Sequence, residues 1–218
     1  MDLLSQIREG GILYIILLIA ITMHEFGHAF AADKLGDPLP RMTGRVTVNP
    51  LAHMDLLGTV ILPILTISFS IGSGFPMVFG WGKPVEMSLR DEKNKMKTDL
   101  ISTAGGVGMN LVLALISALL VTVLAFAGLE DFAKVSALSV LINCVLFVIN
   151  MIPVPPLDGS RFLKYAVNMS DETYMNISRW GILILIALIN IPATAVVISG
   201  AVRLLASAFF LIPKIILG

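Results

Sequence analysis

Apolar stretches separated by shorter polar segments make up most of this sequence. Runs of about 18 or more apolar residues are typical of helices that cross a membrane. The pattern therefore predicts an all-α polytopic membrane protein with about 5–6 transmembrane helices. The apolar stretches are residues 11–32, 56–71, 100–127, 135–152 and 180–212, the last of which is interrupted at Pro192 and crosses the membrane either once or twice.

Three polar or irregular segments between these stretches refine that prediction. Residues 72–84 contain too many glycines and prolines for a regular helix, which predicts a re-entrant or extended segment. Residues 41–48 alternate between polar and apolar side chains, which predicts a strand in a short β-hairpin. Residues 86–99 are strongly charged and are expected to lie in water.

The composition supports a membrane protein and excludes some functions. The chain has 218 residues, of which 56% are hydrophobic and only 14% charged, and its mean hydropathy is +0.90. A soluble domain of this length needs more charge to cover its surface. The formal net charge is zero, so no nucleic-acid partner is indicated. Cys144 is the one cysteine, which excludes an internal disulfide and a cysteine-type zinc site.

A short motif in the first apolar stretch carries the candidate chemistry. His24 and His28 are four residues apart, so both rings lie on one face of a helix and can bind one metal ion. Glu25 follows the first histidine, where it can take a proton from a metal-bound water. The alternative is a helix end at which polar residues meet the membrane interface. Ionisable residues within a membrane helix are costly, which favours the metal site.

A catalytic zinc site needs a third protein ligand, and the residues alone leave two candidates. His53 is the remaining histidine, and Asp158 follows two prolines at the end of the fourth apolar stretch. An Asp-Gly pair after prolines is also typical of a turn or a helix cap, so Asp158 has a structural interpretation as well. For His53 the alternative is an interfacial histidine held by hydrogen bonds.

Several segments in consistent order resemble the site-2 protease family of intramembrane zinc metalloproteases, in its compact bacterial and archaeal branch. The resemblance covers about residues 11–165, and we treat 1–218 as a single domain of which 180–212 is a C-terminal membrane segment. Where the family usually has Gly-Pro at the start of the third-span motif, this chain has Gly105-Gly106. The segments that carry the resemblance are residues 24–28, 49–55, 80–85, 106–110 and 150–159.

The resemblance implies a specific set of site residues and one zinc ion per chain. His24, His28 and Asp158 would be the zinc ligands and Glu25 the catalytic base. Asn110 and Asn150 would help to hold the substrate or the developing oxyanion. The implied substrate is a transmembrane segment of another protein.

The order of spans provides a test of that ligand set. His28 and Asp158 can reach one metal only if residues 56–84 enter and return on the same side of the membrane. This return places eleven Lys and Arg residues on one side and two on the other, whereas a single crossing gives nine and four. The sharper asymmetry of the return agrees with the positive-inside rule. We therefore expect the N-terminus outside, and the zinc and the β-hairpin near the cytoplasmic face.

Other interpretations remain open at this point. A relative that binds membrane helices without cleaving them would usually lack Glu25, and a metal transporter would spread polar residues over many spans. Residues 78–85 or 41–48 would offer an edge strand to an unwound substrate, or 78–85 would be a structural plug. Asn143 either lines the same polar site or bonds across helices. A homo-oligomer or a regulatory membrane partner is also left open.

Overall fold

The computed structural model describes residues 3–73, 78–88 and 94–217, and within these ranges the chain is mainly helical and contains no strand. The prediction of an all-α polytopic fold is confirmed. A 3-10 turn, Pro50–Ala52, and a π-helical segment, Leu56–Ile61, precede α3. The α-helices are α1 (Leu3–Lys34), α2 (Leu39–Met42), α3 (Leu62–Ser73), α4 (Lys95–Phe126), α5 (Glu130–Asn150), α6 (Gly159–Ala166), α7 (Asp171–Ser178), α8 (Gly181–Asn190) and α9 (Pro192–Leu217).

Four of these helices are long and apolar enough to cross a membrane. They are α1, α4, α5 and α9, and a fifth span results if α7 and α8, which meet at an angle of 59°, are counted together. The second apolar stretch forms a shorter helix over Leu56–Phe69. The final stretch divides at Ile191, whose extended backbone (ψ 120°) separates the short α8 from the long α9.

Helices α1 and α4 cross with their backbones in close contact. A Cβ atom at Gly27 would overlap the carbonyl oxygen of Gly105, and one at Gly105 would lie 2.6 Å from the carbonyl oxygen of Gly27. Only glycine permits such an approach of two helix backbones. Ser102 near the start of α4 pairs with His28 near the end of α1, so the chain leaves α1 and enters α4 at the same end of the bundle.

The segment between these two helices therefore enters the bundle and returns, as predicted. The returning part, residues 78–88, has no regular secondary structure and runs back along the entering part. The amide of Trp81 donates to the carbonyl of Gly58, and the amide of Lys83 donates to the carbonyl of His53. Residues 74–77, which also belong to the predicted return, lie outside the described residues.

The strand predicted at 41–48 is wrong. Its first residues belong to α2, which begins after Pro38 and has Pro40 in its first turn. Gly44 then takes a positive φ of 70°, and the amide of Arg45 folds back to the carbonyl of Pro40. The alternation of side chains is real, but a strand also needs a partner along its edge, and no described segment pairs with this one as a strand.

Helices α4, α5 and α9 enclose a second core, away from the end of α1. Its buried members are small, which lets the three helices approach closely. Large apolar side chains elsewhere on these helices are exposed, as expected for surfaces that face lipid. The buried members of this core are Ala114, Ala118, Val140, Cys144 and Ala206.

Candidate metal centre

Three side chains from distant parts of the sequence converge between α1 and the N-terminus of α6. The Nε2 atoms of His24 and His28 are 3.0 Å apart, and Oδ2 of Asp158 lies 3.2 Å from the first and 3.3 Å from the second. Among the described residues these three form the one group of at least three His, Cys, Asp or Glu side chains able to hold a metal ion. His53, the other candidate for third ligand, is not part of it.

The hydrogen bonds of the two rings determine where their protons are. Nδ1 of His28 lies 2.9 Å from the carbonyl oxygen of Ser102, which can only accept, so this nitrogen carries the hydrogen. Nδ1 of His24 lies 2.8 Å from Oδ1 of Asn110, which is also an acceptor. In the neutral form of each ring, which is the form that binds a metal, Nε2 is then left with a free lone pair.

This arrangement fits a tetrahedral zinc ion. Bonds of about 2.0–2.1 Å to zinc place neighbouring ligands about 3.3 Å apart, close to the three separations observed. Oδ2 of Asp158 is buried and has no hydrogen-bond partner, although a buried carboxylate oxygen normally has one. Three electron-rich atoms this close repel one another unless a cation lies between them. The donor set leaves a fourth position open, as catalytic zinc sites do.

A chain of amide side chains lies behind His24. Asn110 on α4 is fully buried, accepts from His24 through Oδ1 and donates through Nδ2 to Oδ1 of Asn143 on α5, over 3.1 Å. Asn143 in turn donates to the backbone carbonyl of Ser139 over 2.9 Å. Such outer hydrogen bonds orient metal-binding histidines. The oxygen and the nitrogen of the Asn110 amide therefore each bond to a neighbouring side chain.

His28 depends on a glycine in α4 for its position. A Cβ atom at Gly106 would overlap the imidazole ring of His28, including Nε2. By contrast, a Cβ atom at Gly108, two residues further along the same helix, would meet nothing within 4 Å. Gly106 therefore provides the space in which the ring of His28 lies.

The third donor is positioned by contacts of α6 with α4. Asp158 immediately precedes α6, whose Arg161 donates to Oδ1 of Asp99 over 2.7 Å. Tyr165, one turn further, donates to Oδ2 of Asp99 over 2.8 Å. Asp99 is fully buried at the start of α4, so its two oxygens hold α6 against the helix that also supports both histidines. Burial and the bond to Asp99 raise the pKa of Tyr165, which keeps its hydroxyl protonated.

Glu25 lies beside the candidate metal site, which consists of His24, His28 and Asp158, and it is covered by the returning segment. A Cβ atom at Gly82 would lie 2.8 Å from Cγ of Glu25 and 3.2 Å from its Oε1. Oε2 of Glu25 is buried without a hydrogen-bond partner and lies 3.7 Å from Nη2 of Arg45. Arg45 is itself buried, and burial lowers its pKa although Glu25 and Glu86 oppose this effect.

Two other predicted residues, His53 and Asn150, are not among the three donors. His53 is 1% exposed and its Nε2 lies 2.8 Å from the carbonyl oxygen of Thr47, so it holds the loop after α2. Burial lowers the pKa of His53, which keeps the ring neutral. Asn150 is the last residue of α5 and half-buried, and its side chain has no hydrogen bond with any described residue.

Comparison with known proteins agrees with this site. The sequence model of Peptidase family M50 matches residues 125–189. The Bacillus subtilis protein named "Putative zinc metalloprotease YwhC" is 34% identical over 160 residues, which are 70% of this chain and 67% of that protein. "Putative zinc metalloprotease Rip2" of Mycolicibacterium smegmatis is 30% identical over 198 residues, 88% of this chain and 73% of that one. No solved structure matches the chain.

The fold and the three converging donors define a multi-pass membrane protein of the metalloprotease class. With the family match and these relatives, the chain belongs to Peptidase family M50, the site-2 protease family. The resemblance found in the sequence motifs is thereby confirmed.

Sequence reasoning missed three features around the site. One is the contact of Asp99 with Arg161, 62 residues later in the sequence. The other two are contacts with Glu25, from Arg45 across 20 residues and from the backbone of Gly82 across 57 residues. None belongs to a motif that indicates its role. The one usable signal was the cost of a buried charge, which makes any charged residue close to an apolar segment a candidate.

Proposed function

We propose that this protein is a zinc-dependent intramembrane endopeptidase that hydrolyses peptide bonds within or near transmembrane segments of other proteins. His24, His28 and Asp158 hold the zinc ion. The observation that carries the proposal is the convergence of their three electron-rich atoms, 3.0–3.3 Å apart, beside the carboxylate of Glu25. The names of the similar proteins support zinc as the metal.

The proposed reaction is a metal-assisted hydrolysis. Zinc at this site would supply a Lewis acid that lowers the pKa of water and polarises the scissile carbonyl group. The carboxylate of Glu25 accepts the proton of the attacking water and then delivers it to the departing amide nitrogen. Its Oε2 is free of hydrogen bonds, so it is able to hold that proton.

The two asparagines take different parts in this proposal. The side chain of Asn150 has no hydrogen bond with any described residue, so its amide is able to donate to the substrate carbonyl oxygen as negative charge develops. Asn110 accepts from His24 through its amide oxygen and donates to Asn143 through its amide nitrogen, so we assign it to the orientation of His24. The substrate contact first suggested for Asn110 is therefore left to Asn150.

The returning segment provides a place for an unwound substrate. Phe79, Trp81 and Lys83 direct their amides towards residues 53–66. The backbone groups of Gly80 and Gly82, between them, have no hydrogen bond with any described residue, and Gly82 is buried against Glu25. Buried backbone groups need partners. A substrate strand added along this free edge would supply them and would place its carbonyls next to Glu25.

The orientation in the membrane is also part of the proposal. The positive-inside rule supports an N-terminus outside and the metal near the cytoplasmic face. The variants Lys97→Cys and Lys134→Cys test it in intact cells, because the native Cys144 is buried and the introduced cysteine is the exposed one. Position 134 should react with an impermeant thiol reagent from outside, and position 97 only after the cells are opened. The reverse pattern would invert the orientation.

Purified protein in phospholipid vesicles tests the reaction itself. Wild type and Glu25→Gln are compared for zinc content and for cleavage of single-span helices labelled at both ends, with a glycine pair in the middle to ease unwinding. We expect equal zinc in both proteins and a loss of cleavage of about 10²–10⁴-fold in Glu25→Gln. Full cleavage by Glu25→Gln would refute the proposal, and so would a purified wild-type protein that contains no zinc.

A further inference from the structure

A buried arginine outside the segments that carry the family resemblance lies next to the proposed catalytic base. Arg45 is 5% exposed, and its Nη2 is 3.7 Å from Oε2 of Glu25. The same Nη2 donates to the backbone carbonyl of Lys83 in the returning segment. One guanidinium nitrogen therefore lies between Glu25 and the chain that covers it.

From this contact we propose that Arg45 is a positioning residue that ties the carboxylate of Glu25 to the returning segment. The inference rests on the proposed role of Glu25 as the base. Arg45 holds the carboxylate on the side of the candidate metal site through its charge, and it holds residues 78–88 in place over Glu25 through Lys83. The position of the base and the position of the proposed substrate edge are thereby set by one side chain.

The returning segment does not need a buried charge merely to stay in place. Neutral hydrogen bonds already fasten it, from Trp81 to Gly58 and from Lys83 to His53, and the hydroxyl of Thr59 donates to the carbonyl of Trp81 over 2.8 Å. Burying a guanidinium is costly, and neutral replacements of buried ion pairs are often as stable. A charge at position 45 is therefore better explained by the neighbouring carboxylate than by anchoring alone.

The contact with Glu25 is an ion pair without a hydrogen bond. A separation of 3.7 Å is about 1 Å longer than a charge-assisted hydrogen bond. Nε of Arg45 is buried without a partner, so the guanidinium has donors in reserve. Arg45 can therefore still bind Glu25 when a substrate strand displaces the returning segment slightly. A side chain with a single donor would lose one of its two contacts in that case.

The test uses Arg45→Gln and Arg45→Lys in the full-length protein, with Arg41→Gln as the matched control. Arg41 is an exposed arginine of α2, four residues before Arg45, and it pairs with Asp33. Three quantities are measured: zinc per chain, hydrogen exchange of the Trp81 and Lys83 amides, and kcat and KM for the labelled single-span helix.

We expect Arg45→Gln to keep its zinc and to show faster hydrogen exchange of these two amides. Its kcat should fall by about 10²-fold with little change in KM, since small misplacements of a catalytic group have effects of this size. Arg45→Lys should lie between it and the wild type, and Arg41→Gln should match the wild type. Unchanged kcat or unchanged exchange in Arg45→Gln would overturn the inference, as would loss of its zinc. If the wild type cleaves nothing, the proposed function fails, while the exchange data still decide whether Arg45 holds the segment.

Discussion

Nδ1 of His24 donates a hydrogen bond to Oδ1 of Asn110 over 2.8 Å, and this bond determines which nitrogen of the ring faces the candidate metal site. Asn110 can accept here because its Nδ2 donates to Asn143. Three helices thus share one line of hydrogen bonds that ends at Nε2 of His24. All three side chains of this line are buried, and hydrogen bonds in such a low-dielectric setting are strong.

The first prediction concerns the far end of that line. Asn143→Leu should lower zinc affinity by about 10–100-fold, the usual effect of losing an outer hydrogen bond to a metal ligand. Asn110 would lose its partner and could turn its amide, so that His24 is no longer oriented. Titration of the purified protein with a competing zinc chelator measures the change.

Ser117→Ala is the control for Asn143→Leu. Ser117 and Ser139 share a 2.8 Å hydrogen bond between the same two helices. Its loss should cost about 0.6 kcal/mol of stability without affecting zinc affinity. Equal zinc affinity in Asn143→Leu and Ser117→Ala would show that Asn143 does not act on the metal site.

The second prediction compares two glycines of α4. Gly106→Ala should greatly reduce zinc binding, because its methyl group would overlap the ring of His28. Gly108→Ala should bind zinc as the wild type does, because a Cβ atom there meets nothing within 4 Å. Zinc content of the two purified variants, measured by atomic emission, decides the matter. Normal zinc content in Gly106→Ala would contradict the prediction.

The third prediction concerns the attachment of α6. Asp99→Asn weakens the bonds to Arg161 and Tyr165. Hydrogen bonds to charged groups contribute about 1.5–3 kcal/mol each, so unfolding should become easier by about that amount, and zinc should be held less tightly because Asp158 precedes α6. Thermal unfolding in detergent and zinc titration provide the two measurements.

Asp131→Asn serves as the control for Asp99→Asn. Its ion pair with Lys134 is exposed, and exposed pairs contribute about 0–1 kcal/mol. If both variants lose the same stability and Asp99→Asn retains full zinc affinity, the assigned role of Asp99 is incorrect.

The fourth prediction is a pH dependence that comes from His53. Burial lowers the pKa of this histidine in the folded protein, while Arg45 and Glu25 act on it in opposite directions. Below the unfolded-state pKa of about 6.5 the unfolded chain binds the proton more readily, so stability is full above that pH and falls as the pH is lowered through it.

His53→Gln removes this titration and keeps a donor for the carbonyl of Thr47. The difference in Tm between pH 7.5 and pH 5.5 should therefore be smaller in His53→Gln than in the wild type, when both are measured without metal. An equal difference in the two proteins would indicate that His53 is not the group responsible.

The spans illustrate how much of the fold could be predicted. Apolar stretches at 100–127 and 135–152 correspond to α4 and α5, because lipid demands length and apolarity of a helix wherever it crosses. The strand at 41–48 could not be judged in the same way. Strand pairing depends on a neighbouring edge, and here the prolines and Gly44 turn the chain into α2 and a loop.

The sequence by itself determined the helical membrane class, the pair of histidines with Glu25, and the return of the chain between α1 and α4. Each depends on local composition or on spacing along one helix, which the residues alone express. Only the tertiary structure decided which groups surround the site. Asn143 behind Asn110, Gly106 against His28, and Arg45 beside Glu25 are contacts between distant segments, and they follow from how closely the helices pack, which no local pattern records.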